Sequence, residues 1–353
     1  MVHAKSGPIR TAVIGFGVAG RVFHAPFLSA LDEFSLDAVV TADPARRAEV
    51  GSRYPATRVV TSADELFGHA EDFDLVVIAT PPGTHAPLAR IALSRRLAVV
   101  VDKPFATTAE EGQALVEEAA RQDVALTVYQ NRRWDGDFRT VRQLVGDGRL
   151  GEVRRFESRF EWWKPQPRPS WKTRATVAAG GGILFDLGTH VIDQALQLFG
   201  DAEVAHFELH TRRDGGTADD DAFVVLRHFA GVTSHLWMNS LAPQPGPRFR
   251  VQGSAATYVK SGLDPQEARL ANGFPATSPG IGADPESHWG TLGAGPDLER
   301  IPTLPGDYAG FYRALADSLS QGAPLPVDPS GPLRVLRLIQ AMLATIPSPG
   351  SES

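Results

Sequence analysis

The chain contains no cysteine. That absence removes disulfide frameworks, thiolate nucleophiles and cysteine-based zinc or iron–sulfur sites at once, so any chemistry must be carried by Lys, His, Asp, Tyr or Arg. The chain also lacks an excess of charge of one sign. Its 35 Lys and Arg stand against 41 Asp and Glu, a net charge of -6 spread along the sequence without a basic stripe to neutralise phosphates. Nucleic acid is therefore not an expected partner. No stretch approaches the roughly 18 continuous apolar residues of a membrane span. The opening M-V-H-A-K-S-G-P has no apolar signal region, so a soluble cytoplasmic protein without a membrane partner is expected. There is no internal repeat. What is present, 42% hydrophobic and 22% charged residues over 353 positions, suffices for a large core and two domains.

The rest of the chain is organised around Ile9 to Gly20, I-R-T-A-V-I-G-F-G-V-A-G. An apolar run (Ala12, Val13, Ile14) breaks into Gly15, Gly17 and Gly20 at G-x-G-x-x-G spacing, and helix-compatible sequence from Arg21 to Leu31 follows. In a strand–turn–helix unit the first glycine permits the turn, the second lets backbone approach a pyrophosphate, and the third allows close helix–strand packing. The loop Gly15-Phe16-Gly17-Val18-Ala19-Gly20 thus points to a dinucleotide. Apolar runs at 36–41, 57–60, 73–80, 97–101 and 124–129 alternate with helical segments at 44–53, 62–67, 84–96 and 108–122. Alternation of this kind predicts a doubly wound parallel sheet whose ligand crevice lies outside the carboxyl ends of the strands.

Three strand ends carry informative side chains. Thr80-Pro81-Pro82 makes a rigid turn after the fourth strand, and Asn131-Arg132-Arg133-Trp134 offers polar groups to a polyol or sugar after the sixth. Asp102-Lys103-Pro104 ends the fifth and sets an ammonium beside the expected cofactor. From the residues alone, Lys103 reads equally as a solvated strand-end lysine or as a catalytic group.

In the second half, residues 152–163 alternate in the manner of a half-buried strand, with Phe156, Ser158, Phe160 and Trp162 on one face and Trp163 at the end. Further strands are expected at 204–211, 222–229, 232–239 and 248–251, as an antiparallel meander whose second face another subunit could cover near Trp237. After Gly180-Gly181-Gly182, helical spacing places Asp186, His190 and Asp193 on one face. A satisfied core histidine with two surface acids and an acid–base pair both fit this pattern, and acid–base work fits better; a metal site on the same three residues lacks an evident further ligand, and none is expected. Residues 273–307, rich in Gly and Pro and without periodicity, read as a surface lid or interface loop in which Trp289 reaches the site or a neighbouring subunit. Helices at 308–321 and 332–346 finish the fold, and the tail from Pro347 is expected to fray.

With these residues in hand, the chain resembles the glucose-fructose oxidoreductase, inositol dehydrogenase and rhizopine catabolism (Gfo/Idh/MocA) family over nearly its full length. The resemblance is carried by the glycine loop, Thr80-Pro81 with His85, Asp102-Lys103-Pro104, and the glycine run leading to Asp186 and His190. The family's usual Glu-Lys-Pro is Asp-Lys-Pro here, one methylene shorter with the charge kept. Residues 129–138 and 186–200 are most similar to the branch containing NADP-dependent scyllo-inositol dehydrogenases. The resemblance implies an N-terminal Rossmann domain over 1–130 and a C-terminal α+β substrate-binding and oligomerisation domain over 131–353, with a large, mostly antiparallel sheet. A homodimer or homotetramer would form through that sheet. It also implies hydride transfer between a nicotinamide and a secondary alcohol of a cyclic polyol or sugar, with His190 as general acid/base oriented by Asp186, and Lys103 stabilising the alkoxide. Lys103, Asn131, Arg132, Arg133, Trp134, Trp163, Asp186 and His190 would line the substrate. A non-catalytic NADP(H) sensor on the same fold is opposed by the joint presence of Lys103, Asp186 and His190; a nicotinamide-dependent glycosidase would differ only in its products.

The second strand end, Thr41-Ala42-Asp43-Pro44-Ala45-Arg46-Arg47, bears on cofactor choice. NAD enzymes place an acid here for the ribose hydroxyls, whereas NADP enzymes use small residues and an arginine for the 2′-phosphate. Asp43 could be that acid, but it comes late and Pro44 would turn it toward the next helix, leaving Thr41 and Ala42 at the ribose and Arg46 or Arg47 near the phosphate. NADP is the expected cofactor, with NAD possible.

Overall fold

The computed structural model describes residues 7–166 and 175–345. The expected fraying tail from Pro347, and Ile346, lie outside the described residues. Six short strands, β1 (Ile9–Ile14), β2 (Phe34–Val40), β3 (Arg58–Val60), β4 (Leu75–Ile78), β5 (Ala98–Asp102) and β6 (Leu126–Tyr129), form a parallel sheet in the order β3-β2-β1-β4-β5-β6. β4 is buried at all four positions, and β5 at four of its five. Strands covered on both faces need continuous apolar sequence, which is why these runs are legible without alternation. Helices α1 (Ala25–Leu28), α2 (Pro44–Arg53), α3 (Ala63–Phe67), α4 (His85–Ser94) and α5 (Ala109–Gln122) connect the strands. Ser62 and Thr108 cap α3 and α5 by accepting from Glu65 N and Glu111 N. The strand order reverses between β1 and β4, which puts the crevice at the carboxyl ends of these two strands.

The first helix differs from the expected span 21–31. The chain makes a π-helical turn over Ala19–His24 and only then the short α1. Pro26 has no N–H to bond the carbonyl four residues back, so a regular helix cannot run through this point.

After α6 (Gly136–Gly146) the chain builds an eight-stranded sheet from β7 (Val153–Glu161), β8 (Ala202–His210), β9 (Asp221–His228), β10 (Thr233–Asn239), β11 (Phe249–Gly253), β12 (Thr257–Lys260), β13 (Gly290–Ala294) and β14 (Asp297–Ile301). Its order is β14-β13-β12-β11-β7-β10-β9-β8. It is not a simple meander, because β7 pairs in parallel with β10 and antiparallel with β11. One face buries Phe156, Phe160, Val224, Leu226, Leu236, Met238, Phe249 and Val251, with α7 (Thr189–Phe199) packed on it against β7 and β10. On the other face the Arg159 guanidinium lies 3.7 Å from the Trp237 ring centroid, and Phe223 sits 4.9 Å from the same indole. Helix α8 (Gln266–Ala271) precedes the last hairpin, and α9 (Tyr308–Gln321) and α10 (Ser330–Ala344) close the chain. None of the described helices is long and apolar enough to cross a membrane.

The segment 273–307 is not a structureless excursion. It supplies β13 and β14, paired from Gly290↔Ile301 to Ala294↔Asp297, and extends the sheet to its edge. Four of the five β14 residues are exposed, so no burial imposes a hydrophobic period on its sequence. Gly293 belongs to the hairpin itself: a Cβ there would stand 1.9 Å from the Asp297 carbonyl oxygen. Trp289, half-buried, enters β13.

Candidate active site

The three glycines of the opening loop have different physical reasons to be glycine. Gly15 has φ +100°, and a Cβ on it would fall 2.6 Å from the Ala79 carbonyl oxygen; a Cβ on Gly20 would fall 2.0 Å from the Gly15 carbonyl oxygen. The fold itself requires those two. At Gly17 a Cβ would meet no atom within 4 Å, so its open side leaves room for a ligand to approach the backbone. Arg21 N closes the turn on Gly17 O at 3.0 Å. Phe16 is buried edge-on against Tyr54, Ala19 opens the π-helical turn, and Val18 stands 64% exposed beside the open glycine.

At the end of β2, Thr41 is buried while Ala42, Arg46 and Arg47 are exposed. Asp43 is the N-cap of α2, accepting from Ala45 N at 2.9 Å and Arg46 N at 3.0 Å. Its second oxygen lies 3.8 Å from Arg46 Nε. Pro44 thus turns the carboxylate toward its own helix.

His85 ties the next two strand ends together: Nδ1 is 2.8 Å from the Pro104 carbonyl and Nε2 is 2.8 Å from the Thr80 carbonyl. A neutral ring can donate to only one of them, and burial pushes its pKa down although Asp102 and both carbonyls favour the charged form. Thr84 Oγ1 donates to Thr80 Oγ1 at 2.7 Å and closes the turn around the exposed Pro81. Asp102 Oδ1 accepts the Lys103 amide at 2.9 Å, and the Lys103–Pro104 bond is cis. Behind this turn lies His24, fully buried, with Nδ1 2.5 Å from the Tyr312 hydroxyl and Nε2 3.9 Å from Asp102 Oδ1.

Lys103 Nζ donates both to Asp186 Oδ1 and to the Asp186 carbonyl, each at 2.7 Å. Asp186 lies in a π-helical turn, Leu184–Gly188, that runs into α7 one turn before His190. π-turns widen a helix locally and recur at functional sites. The glycine run sets up this turn. Gly180 and Gly182 have φ of +74° and +98°, and a Cβ on Gly182 would meet Asp219 Oδ1 at 2.0 Å. Asp219 bonds the start of the turn, accepting Ile183 N through its carbonyl and Leu184 N through Oδ2, both at 2.8 Å; burial pushes its carboxyl up to about 6. His190 is 4% exposed, its ring 6.3 Å from that of Phe160.

Asp193, a surface acid in the less favoured of the two readings of this helix face, is buried and paired bidentately with Arg133 at 2.6 and 2.7 Å. Gln194 Nε2 donates to Arg132 O at 2.9 Å, so the turn after β6 grips α7 at two consecutive residues. Arg132 spans Asp135, the Tyr308 hydroxyl and Glu267, with its guanidinium 5.4 Å from the Phe160 ring centroid. Asn131 is buried, and Trp134 packs edge-on against Phe311 of α9. Trp163, 55% exposed, forms an isolated bridge with Leu241 beyond the end of β7. Sequence reasoning missed Asp219, Glu267, and the His24–Tyr312 pair. His24 comes from the turn after the glycine loop and the other residues from distant segments, so no spacing along the sequence marks them.

The profile of the oxidoreductase family with an NAD-binding Rossmann fold matches residues 9–130, and the GFO/IDH/MocA C-terminal domain matches 138–259. The scyllo-inositol 2-dehydrogenase (NADP(+)) of Bacillus subtilis is 32% identical over 343 residues, 96% of this chain and 94% of that protein. The inositol 2-dehydrogenase of Rhizobium meliloti is 29% identical, covering 77% of this chain and 81% of that one. A Bacillus subtilis protein solved in a triclinic crystal form superposes with a TM-score of 0.90 at 32% identity, over 97% of each chain. A glycine loop open at Gly17, a parallel sheet reversing beside it and two matching profiles together place the chain in the Gfo/Idh/MocA family of NAD(P)-binding oxidoreductases.

Proposed function

We propose that the protein is an NADP(H)-dependent dehydrogenase that interconverts a secondary alcohol of a cyclic polyol or sugar, inositol-like in character, with its ketone. The observation that carries this reading is the Lys103–Asp186 contact, an ammonium held 2.7 Å from a carboxylate one helical turn before His190. The open side of Gly17 fits a pyrophosphate, with Phe16, Val18 and Ala19 around it and Gly15 and Gly20 shaping the turn. Thr41, Ala42 and Arg46 would hold the adenosine ribose and its 2′-phosphate; Thr80, Pro81, Asp102 and Lys103 would border the nicotinamide, with His85 bracing their turns. When bound, the nicotinamide supplies or accepts the hydride.

The chain's own residues supply the proton chemistry. His190 takes the proton from the substrate hydroxyl in oxidation and returns it in reduction, while the Lys103 ammonium stabilises charge developing on that oxygen. Asp186 fixes the lysine by accepting from it, and Arg133, through Asp193, fixes the helix bearing His190. In this reading the chain divides near residue 130 into a cofactor-binding and a substrate-binding part. The sheet face around Phe223, Arg159 and Trp237 is the interface of a homodimer or homotetramer, a point that light scattering on the purified protein tests. The function is tested by screening inositols and aldoses with NADP and NAD while following reduced-nicotinamide absorbance. Absence of turnover across the panel by protein that binds the cofactor would overturn it.

A further inference from the structure

Glu267 of α8 was not among the side chains expected at the site, yet it pairs with Arg132, which was. Its Oε2 accepts from Arg132 Nη2, and its Oε1 has no hydrogen-bond partner among the described residues. The side chain is 46% exposed, in contrast to the 11% of its arginine partner. Two chains of contact place this carboxylate. Arg132 lies over the Phe160 ring at 5.4 Å, and that ring also neighbours Arg248 at 4.0 Å, His190 at 6.3 Å and Trp162 at 6.4 Å. Helix α8 itself packs against the π-helical turn that follows the glycine loop. The Arg132 guanidinium holds the carboxyl below its ordinary pKa, the Lys103 ammonium acts in the same direction and the Asp186 carboxylate against it, so both charges of the pair are felt at Glu267.

A carboxylate fixed through one oxygen and open through the other is an acceptor waiting for a donor. Arg132 is itself anchored by the Tyr308 hydroxyl at 3.0 Å and by Asp135, so the acceptor sits on a rigid support. Tyr308 in turn donates to Asp135 Oδ1 at 2.7 Å. We propose that Glu267 is a substrate-binding residue that determines specificity, its free Oε1 accepting a hydrogen bond from a hydroxyl next to the carbon that reacts at Lys103 and His190. This rests on the dehydrogenase reading above and adds to it that the substrate carries a second hydroxyl near the reacting one.

The test compares wild type, Glu267→Ala and Glu267→Gln on inositols that the wild type turns over and on the corresponding monodeoxyinositols, with NADPH binding followed by fluorescence. A hydrogen bond from a hydroxyl to a charged acceptor changes KM by roughly 10- to 100-fold. Glu267→Ala should therefore raise KM for an inositol by that factor with a smaller change in kcat, and Glu267→Gln, which keeps a neutral acceptor, should recover part of the loss. For the deoxy analogue lacking the contacted hydroxyl, wild type and Glu267→Ala should have nearly equal KM. Equal KM across the panel for all three proteins overturns the proposal. So does an equal loss on hydroxylated and deoxy substrates, which would make Glu267 a support for Arg132 only. If wild type binds NADPH but turns over no polyol, the dehydrogenase reading fails and this one with it.

Discussion

Lys103 and Asp186 touch across 83 positions of sequence, the ammonium at the end of β5 donating to both the carboxylate and the carbonyl of a residue in the π-turn before α7. The contact joins the parallel sheet to the segment that carries His190. Both partners are partly covered, with side chains 16% and 32% exposed. The pair can therefore reach a ligand while being shielded enough for its charge to matter.

Replacing Lys103 by Met keeps the length of the side chain and removes its charge. Turnover should fall by at least about a hundredfold, because positioned charge and proton transfer contribute on that order. NADPH affinity, measured by fluorescence, should change little, since the glycine loop is untouched. Lost affinity with turnover near wild type would move Lys103 out of the catalytic role.

His190→Ala and His190→Asn should both be poor enzymes, because a titrating group is required and an amide cannot replace it. The pH dependence of the residual activity should lose the limb that reports this group. A folded Asn variant with near-normal rates would make His190 a packing residue against Phe160.

Asp193→Asn leaves the largely covered Arg133 guanidinium, its side chain 11% exposed, without its charge partner. Breaking a buried pair costs about 3–5 kcal/mol, so chemical denaturation should show a loss of this order. In the reading above, the shift of α7 also lowers kcat more than it weakens NADPH binding. A stable variant with unchanged kcat would show that the Arg133–Asp193 pair does not set the position of His190.

Much of the parallel sheet is visible in the sequence because its strands are covered on both faces. Val76-Val77-Ile78 and Val99-Val100-Val101 have no choice but to be apolar. The glycine loop and glycine run are equally legible, since a missing Cβ records a close approach or a positive φ directly. β13 and β14 leave no such record: they lie at the sheet edge and β14 is mostly solvated. Spacing along one helix could place Asp186, His190 and Asp193 near one another. It could not show that Asp186 belongs to Lys103 and Asp193 to Arg133, because those partners come from other segments.

Asp43 decides how the cofactor preference is tested. Its Oδ1 caps α2 through Ala45 N and Arg46 N, and Arg46 is exposed beside it. NADPH should bind more tightly than NADH, and Arg46→Ala should weaken NADPH by roughly tenfold, the scale of a charge-assisted contact, with little effect on NADH. Calorimetric titration of both nucleotides checks this. Tighter NADH binding, with NADPH affinity unchanged in Arg46→Ala and Arg47→Ala, would make Asp43 the ribose ligand instead.

Stability toward acid should depend on His24. The ring is fully buried between Tyr312 and Asp102, and burial pushes its pKa down from 6.5 to about 4 in spite of the nearby carboxylate. The unfolded chain therefore binds this proton more readily than the native protein over that interval. Stability due to His24 is fully present above about pH 6.5 and is lost as the pH falls toward 4, by on the order of 3 kcal/mol in total. Asp219 and Asp264, both raised to about 6 by burial, act in the opposite direction over part of this range. The comparison must therefore be made between proteins that share them. His24→Asn removes the titration and keeps a polar group toward Tyr312. Urea unfolding at several pH values between 4 and 7 should give a stability that declines less steeply with acidification in the variant than in wild type. Parallel slopes would mean that the native ring is protonated as easily as in the unfolded chain, with the Asp102 carboxylate, 3.9 Å away, compensating its burial in full.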